Sequence, residues 1–126
     1  MLEIIRHAPG FCCQGDLGMF LDRYFVAEVL ARRIMSYYQD DTGKTHSDIM
    51  RIQQLNAAIS HFGITFSKKD IRALFLGGEG LRGTKSARQL RNGYVHNLSS
   101  DDRCEIEINA SVIILLLNDF IVAAGV

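Results

Sequence analysis

The stretch LGMFLDRYFVAEVLARRIMSYY, residues 17–38, decides the fold of this chain. Its apolar side chains recur at intervals of three and four residues, which is the period of an amphipathic α-helix. The residues of this apolar face are Leu17, Phe20, Leu21, Tyr24, Phe25, Ala31, Ile34, Met35 and Tyr38. A polar run over residues 40–45 predicts a turn after the helix. We therefore expect a fold in which other helices pack on this first one.

Four further helices are predicted from capping residues and apolar periodicity. They are a helix from the N-cap Ser47 through Ile49 to Gly63, a short helix from the N-cap Ser67 to Phe75, a helix over residues 84–97, and a long helix from the cap cluster at residues 99–102 to about Ala123. Residues 105–108 alternate as a strand does, but no second strand is evident to pair with them. The sequence thus predicts an all-α bundle of four to five helices, forming a single domain over residues 1–126.

Charge is balanced overall but uneven along the chain. Lysine and arginine number 14, as do aspartate and glutamate, so no bulk positive charge marks a nucleic-acid binder. The segment 82–91 nevertheless carries Arg82, Lys85, Arg88 and Arg91 with no acidic residue among them. If nucleic acid binds, we expect it to bind there.

The three cysteines predict neither a disulfide framework nor a zinc site. Cys12 and Cys13 are adjacent and Cys104 is distant, a pattern that favours a reduced, cytoplasmic protein. His7 with Cys12 and Cys13 could in principle meet a metal, but no second ligand pair follows at a suitable spacing. We expect no metal and no cofactor.

No membrane association is expected either. The first ten residues lack the apolar core of a signal peptide, and no run reaches the roughly 20 apolar residues of a membrane span. The nearest approach, residues 110–126, is interrupted by Asn118 and Asp119.

The last predicted helix is apolar at six successive positions, 112–117, so every rotation of it exposes apolar side chains on some side. We expect it to be enclosed on more than one side. Two arrangements satisfy this expectation: a second copy of the chain covers part of it in a two-fold dimer, or the helix lies centrally in the monomer.

Arg91, Asn92 and His96 form the most informative arrangement in the sequence. Arginine presents a planar fork of donors suited to phosphate oxygens, and histidine, with an ordinary pKa of about 6.5, can exchange a proton near neutrality. On a regular helix Asn92 and His96 share one face with Arg88, whereas Arg91 lies roughly 140° around from His96. Three arrangements could bring the two groups to one phosphodiester: the long arginine side chain swings back, the helix distorts locally at Gly93, or a symmetry-related copy supplies its own Arg91 and His96.

The hexapeptide RNGYVH, residues 91–96, resembles the signature of the HEPN superfamily, in which an arginine and a polar residue precede a histidine by four to six positions. The flanking Leu-Arg-Asn and Val-His-Asn also look like members of that group. The resemblance covers the motif closely and the remaining chain only in architecture. It implies a dimeric helical bundle that, in many members, cleaves RNA without a metal and serves as a toxin or in antiviral defence.

The chemistry of metal-free RNA cleavage assigns roles to individual residues. Arg91 would hold the phosphate and stabilise transition-state charge, Asn92 would orient the phosphate or the imidazole, and His96 would act as base or acid on the 2′-hydroxyl and the leaving 5′ oxygen. Substrate would be bound by Arg82, Lys85, Arg88 and Tyr94. The implied partners are RNA, a second copy, and an antitoxin or a larger defence complex. Some members are noncatalytic and bind RNA or protein, so a binding and dimerisation module is the alternative.

Structural interpretations stand beside these functional ones. An arginine and a histidine near a helix end commonly complement its dipole. Tyr94 is either a platform for a base or packing for the next helix. Glu28 could approach the motif, although an ion pair with Arg32 four residues on is the simpler interpretation.

The remaining polar features suggest no site of their own. The glycine-rich segment 77–83 lacks the closing residues of a P-loop and is interpreted as a flexible connection that could line an RNA groove. His46 and His61 have no motif around them, and Ser86 and Ser99 have no triad partner in the sequence.

Overall fold

The computed structural model describes residues 14–43, 51–77 and 85–125, and in these ranges the chain is helical with no β-strand. The elements are a π-helical turn at Gln14–Gly18 and the helices α1 (Met19–Thr42), α2 (Ile52–His61), α3 (Lys68–Phe75), α4 (Ala87–Asn97) and α5 (Ser100–Gly125). The predicted all-α fold with five packed helices is confirmed.

The core forms where α1 and α5, the two long helices, pack on each other and on the shorter ones. α1 contacts α2, α4 and α5, and α5 also contacts α3 and α4. Phe75 of α3 lies between the long helices, with its ring centroid 6.1 Å from that of Tyr24 and 5.0 Å from that of Phe120. Most of the apolar face predicted for α1 is buried here, but Phe25 is 61% exposed.

α1 continues four residues beyond its predicted end. The hydroxyl of Thr42 donates to the carbonyl oxygen of Tyr38 at 2.7 Å, and the helix ends at Gly43, whose N–H bonds the Gln39 carbonyl. Gly43 has φ +70°, the left-handed conformation that favours glycine at this position. The turn predicted over residues 40–45 therefore begins too early. Aspartate and threonine disfavour a helix by less than about 1 kcal/mol each, and the continuing backbone bonds and the cap at Gly43 outweigh this cost.

α2 begins later than predicted. Its first residue is Ile52, and Arg51 before it has extended backbone with no side-chain cap. The predicted N-cap Ser47 and the neighbouring Ile49 lie outside the described residues.

The predicted α3 is confirmed: the Ser67 side chain accepts a hydrogen bond from the N–H of Asp70 at 3.1 Å.

α4 begins at Ala87 rather than at residue 84, because Ser86 caps it. The Ser86 hydroxyl accepts from the N–H of Gln89, while the Gln89 side chain accepts from the N–H of Ser86, a complete capping box. The α5 start is as predicted, with the Ser99 hydroxyl accepting from the N–H of Asp102 at 3.2 Å. Ser86 and Ser99, which have no triad partner in the sequence, are thus helix caps.

α5 keeps one apolar side exposed. We call this side the α5 stripe; its residues are Ile108, Val112, Leu115 and Val122. Val112 is 69% and Leu115 is 62% exposed, so the described residues do not enclose the helix on this side. Which of the two predicted arrangements holds stays a prediction. The helix is also long and apolar enough to cross a membrane by length and composition alone, and 17% of its most apolar window is buried in the fold. The expected absence of membrane association stays a prediction.

Candidate functional site

Arg91 and Asn92 lie together on the side of α4 that faces α1. The guanidinium of Arg91 donates to the side-chain oxygen of Asn92 at 2.9 Å, and both residues are half-buried. The Arg91 Cζ atom lies 5.9 Å from the ring centroid of Tyr24, within the range of a cation–π contact. No carboxylate in the described ranges forms an ion pair with Arg91. Within the described part of the chain, the predicted phosphate-binding arginine is therefore held by neutral groups.

Tyr24 is fully buried, and its hydroxyl has no hydrogen-bond partner among the residues that the structure describes. An unpaired buried hydroxyl costs roughly 1–3 kcal/mol. Burial raises the pKa of this hydroxyl well above its ordinary range, and the Glu28 carboxylate raises the pKa further. Three guanidinium groups act on it in the opposite direction, those of Arg88, Arg91 and Arg32. The phenol therefore stays neutral and lies among four charged groups.

Glu28 forms the ion pair that the sequence predicts. Its carboxylate lies 3.3 Å from the guanidinium of Arg32, four residues further along the helix. Its charge also acts on the Tyr24 hydroxyl. A closer approach of Glu28 to the motif stays a prediction.

Arg88 lies on the same side of α4 as Asn92 and is bound to the chain that leaves α3. Its guanidinium donates to the Phe75 carbonyl oxygen at 3.4 Å. A Cβ added at Gly77 would lie 2.9 Å from its Cζ, so the missing side chain at Gly77 makes room for the guanidinium. Arg88 thus joins α3 to α4, and substrate binding by Arg88 stays a prediction.

Lys85 forms an ion pair with the buried carboxylate of Asp102. Its ammonium lies 2.6 Å from Asp102, which is 5% exposed, and this hydrogen bond is the largest cause of the raised pKa of Lys85. The same carboxylate lies against Gly93, where an added Cβ would come within 1.7 Å of Oδ2. α4 remains a regular helix through Gly93, so the predicted local distortion at Gly93 is wrong.

His96 is exposed in the last turn of α4 and has no hydrogen bond or ion pair to another described residue. On the α4 helix, position 96 shares a face with Asn92, whereas position 91 is roughly 140° around from position 96. Within one chain Arg91 bonds Asn92, and no hydrogen bond joins either residue to His96 among the described residues. Tyr94 is half-buried and packs against the core, as its structural interpretation expects.

Several predicted features fall outside the described part of the chain: Arg82, most of the glycine-rich segment, His46, and the His7, Cys12 and Cys13 group. Cys104 is free and exposed. In the described ranges, no group of three or more His, Cys, Asp or Glu residues could hold a metal ion.

Sequence reasoning missed two residues at this site, Tyr24 and Asp102. Tyr24 was assigned only to the core face of the first helix, and Asp102 only to a cap cluster. A buried phenol and a carboxylate opposite a glycine are recognisable only once the helices are packed. The capping box at Ser86 was readable as Ser-x-x-Gln directly before the motif.

No family model matches the chain, and no curated protein or solved structure is similar to it. The resemblance to the HEPN superfamily therefore rests on residues 91–96 and stays a prediction.

Proposed function

We propose that this protein is a metal-independent, HEPN-like endoribonuclease that cleaves RNA by attack of the 2′-hydroxyl, acting as a toxin or a defence effector. In this proposal Arg91 binds the scissile phosphate, Asn92 holds the guanidinium in place, and His96 transfers the proton.

One observation carries the proposal: Arg91 is half-buried with no carboxylate partner among the described residues, about one turn before an exposed histidine. A guanidinium that already faced a carboxylate would have to break that pair to bind phosphate. Arg91 has to leave only a neutral amide and an aromatic ring. The exposed imidazole is accessible to a ligand as large as RNA.

The proposal includes a symmetric dimer, because positions 91 and 96 lie roughly 140° apart around one regular helix. The α5 stripe supports this part of the proposal. Its residues follow one another at intervals of four, three and seven, the spacing of a helix–helix seam. In a two-fold pair the histidine of one copy can serve the phosphate held by the arginine of the other.

The test is cleavage of tRNA and total RNA by the purified protein, with and without EDTA. We expect cleavage that resists EDTA, products ending in 2′,3′-cyclic phosphate, and a bell-shaped pH–rate profile. His96→Ala should abolish cleavage, and His61→Ala is the matched control, because His61 is an exposed histidine that bonds Asp41 away from α4. Equal rates for His96→Ala and the parent would refute the catalytic assignment.

A noncatalytic binding module is the second candidate, and the exposed α5 stripe also favours it. Such a module would bind RNA or a partner protein with no turnover. Arg91→Ala would then weaken binding, whereas His96→Ala would leave it unchanged.

A further inference from the structure

Two polar groups that lack a usual partner lie close together where α1 packs on α4. The Tyr24 hydroxyl is buried without a hydrogen-bond partner, and Arg91, whose guanidinium covers the Tyr24 ring, has no carboxylate partner in the described ranges. Buried polar groups in native proteins nearly always find partners, so an orphan of this kind marks either strain or a ligand. A ligand that accepts hydrogen bonds and carries negative charge would satisfy both groups.

The surrounding charge favours an anion. Three guanidinium groups, those of Arg32, Arg88 and Arg91, act on the Tyr24 hydroxyl against a single carboxylate, that of Glu28. Glu28 is paired with Arg32 at 3.3 Å, and Arg91 forms no ion pair with any described carboxylate. The neutral phenol is thus a hydrogen-bond donor beside the positive charge of Arg91.

We propose that Tyr24 is a phosphate-binding residue of the RNA site: its hydroxyl donates to a nonbridging oxygen of the phosphodiester that Arg91 holds. The phosphate replaces the Tyr24 ring as the partner of the guanidinium. Arg91 swings off the ring and uncovers the hydroxyl, so a single ligand satisfies both groups. This inference rests on the proposed RNA site but not on turnover.

Binding, rather than cleavage, is the measurement that tests this assignment. The probe is a fluorescently labelled single-stranded RNA, and the protein is the full chain carrying His96→Ala, so that cleavage cannot disturb the titration. We expect Tyr24→Phe to weaken binding about tenfold or more, the effect of losing a hydrogen bond to a charged group. Tyr37→Phe, an exposed tyrosine of the same helix, is the matched control and should bind as the His96→Ala protein does.

The stability of the variant separates a functional role from a structural one. Because the hydroxyl lacks a partner, Tyr24→Phe should unfold at an equal or higher urea concentration than the parent while binding RNA less well. A loss of affinity greater than threefold with undiminished stability supports the assignment, whereas a smaller loss, or no RNA binding by the His96→Ala protein, overturns it. If Tyr24→Phe does not fold, 3-fluorotyrosine incorporated at position 24 gives the answer: its fluorine resonance should shift on addition of the RNA, and an unmoved resonance overturns the assignment.

The same titrations keep the two proposals apart. If the parent cleaves RNA but Tyr24→Phe binds it normally, the role of Tyr24 fails and the ribonuclease stands. If the parent never cleaves RNA but Tyr24→Phe weakens binding, the ribonuclease fails and the phosphate site stands. Glu28→Gln adds an independent check, because removal of the only carboxylate in the cluster should tighten RNA binding.

Discussion

Gly93 of α4 lies directly against the carboxylate of Asp102 at the start of α5, so that a Cβ at position 93 would come within 1.7 Å of Oδ2. The carboxylate is buried there and bonds the ammonium of Lys85 at 2.6 Å. This contact fixes the distance between α4 and α5 next to the motif. It explains a glycine in the middle of a helix, where glycine costs about 1 kcal/mol relative to alanine.

Gly93→Ala should therefore lower the free energy of unfolding by about 1–3 kcal/mol, because the new methyl group displaces Asp102 from its site. In an Asp102→Ala background the same substitution should raise stability, by up to about 1 kcal/mol, since the helix gains a better helix former. The Asp102 Cβ would lie 3.5 Å from the added atom, an ordinary contact. Urea unfolding of the four proteins measures this double-mutant cycle, and an equal effect of Gly93→Ala in both backgrounds would refute the packing argument.

Leu98 is the only non-glycine residue with positive φ in the described ranges, at φ 52°. It closes α4 by donating its N–H to the Tyr94 carbonyl at 2.9 Å, and its side chain is 75% exposed. Leu98→Gly should raise the free energy of unfolding by about 1 kcal/mol, because glycine adopts this left-handed conformation without steric cost.

Val95→Gly is the matched control for Leu98→Gly. Val95 is an exposed residue of the same helix with helical backbone, and the substitution should lower stability by about 0.5 kcal/mol. Thermal unfolding of both variants provides the measurement. Destabilisation by both would show that Leu98 is held by contacts of its side chain and not strained by its backbone.

The α5 stripe predicts how the protein associates. Val112→Glu would place an unpaired charge in the middle of the proposed seam and should weaken self-association at least about 100-fold. Ser111→Glu adds the same charge at the neighbouring exposed position and should have little effect. Sedimentation equilibrium over a range of protein concentrations measures the dissociation constants. A monomeric parent, or a Val112→Glu dimer as tight as the parent's, contradicts the proposed dimer.

The pKa of Tyr24 predicts a loss of stability in alkali. Above about pH 10 an unfolded tyrosine loses its proton, while burial and the Glu28 carboxylate keep the folded Tyr24 protonated by raising its pKa. The unfolded state then binds fewer protons than the folded state, so stability falls as the pH rises past that point. Arg32, Arg88 and Arg91 reduce the effect but do not reverse it.

Urea midpoints at about pH 8 and about pH 11 measure this loss. Tyr24→Phe should lose less stability between the two than the parent, whereas Tyr37→Phe, which changes an exposed phenol, should lose as much as the parent. The raised pKa of Lys85 contributes equally in all three proteins and cancels in the comparison. Identical losses in the parent and Tyr24→Phe would mean that the folded Tyr24 ionises as readily as the unfolded one.

The helices were predictable because their signals are local. The three-and-four spacing of apolar residues identified α1, and serine caps marked the starts of α3 and α5. The errors were also local in origin. The end of α1 was predicted too early, because Asp40 and Asp41 favour a turn over a helix only weakly. The start of α4 was predicted too early, because the capping box at Ser86 marks its true first turn.

The sequence by itself determined that the described part of the chain is all-helical, where most of its helices begin, and that positions 91 and 96 lie on different sides of one helix. Those properties follow from helix period and capping, which act over a few residues. Only the tertiary structure decided that the Asp102 carboxylate lies against Gly93, that the Arg91 guanidinium lies over the Tyr24 ring, and that the α5 stripe stays exposed. These contacts join residues far apart in the chain, and they depend on how closely and at what angle two helices approach, which no local pattern specifies.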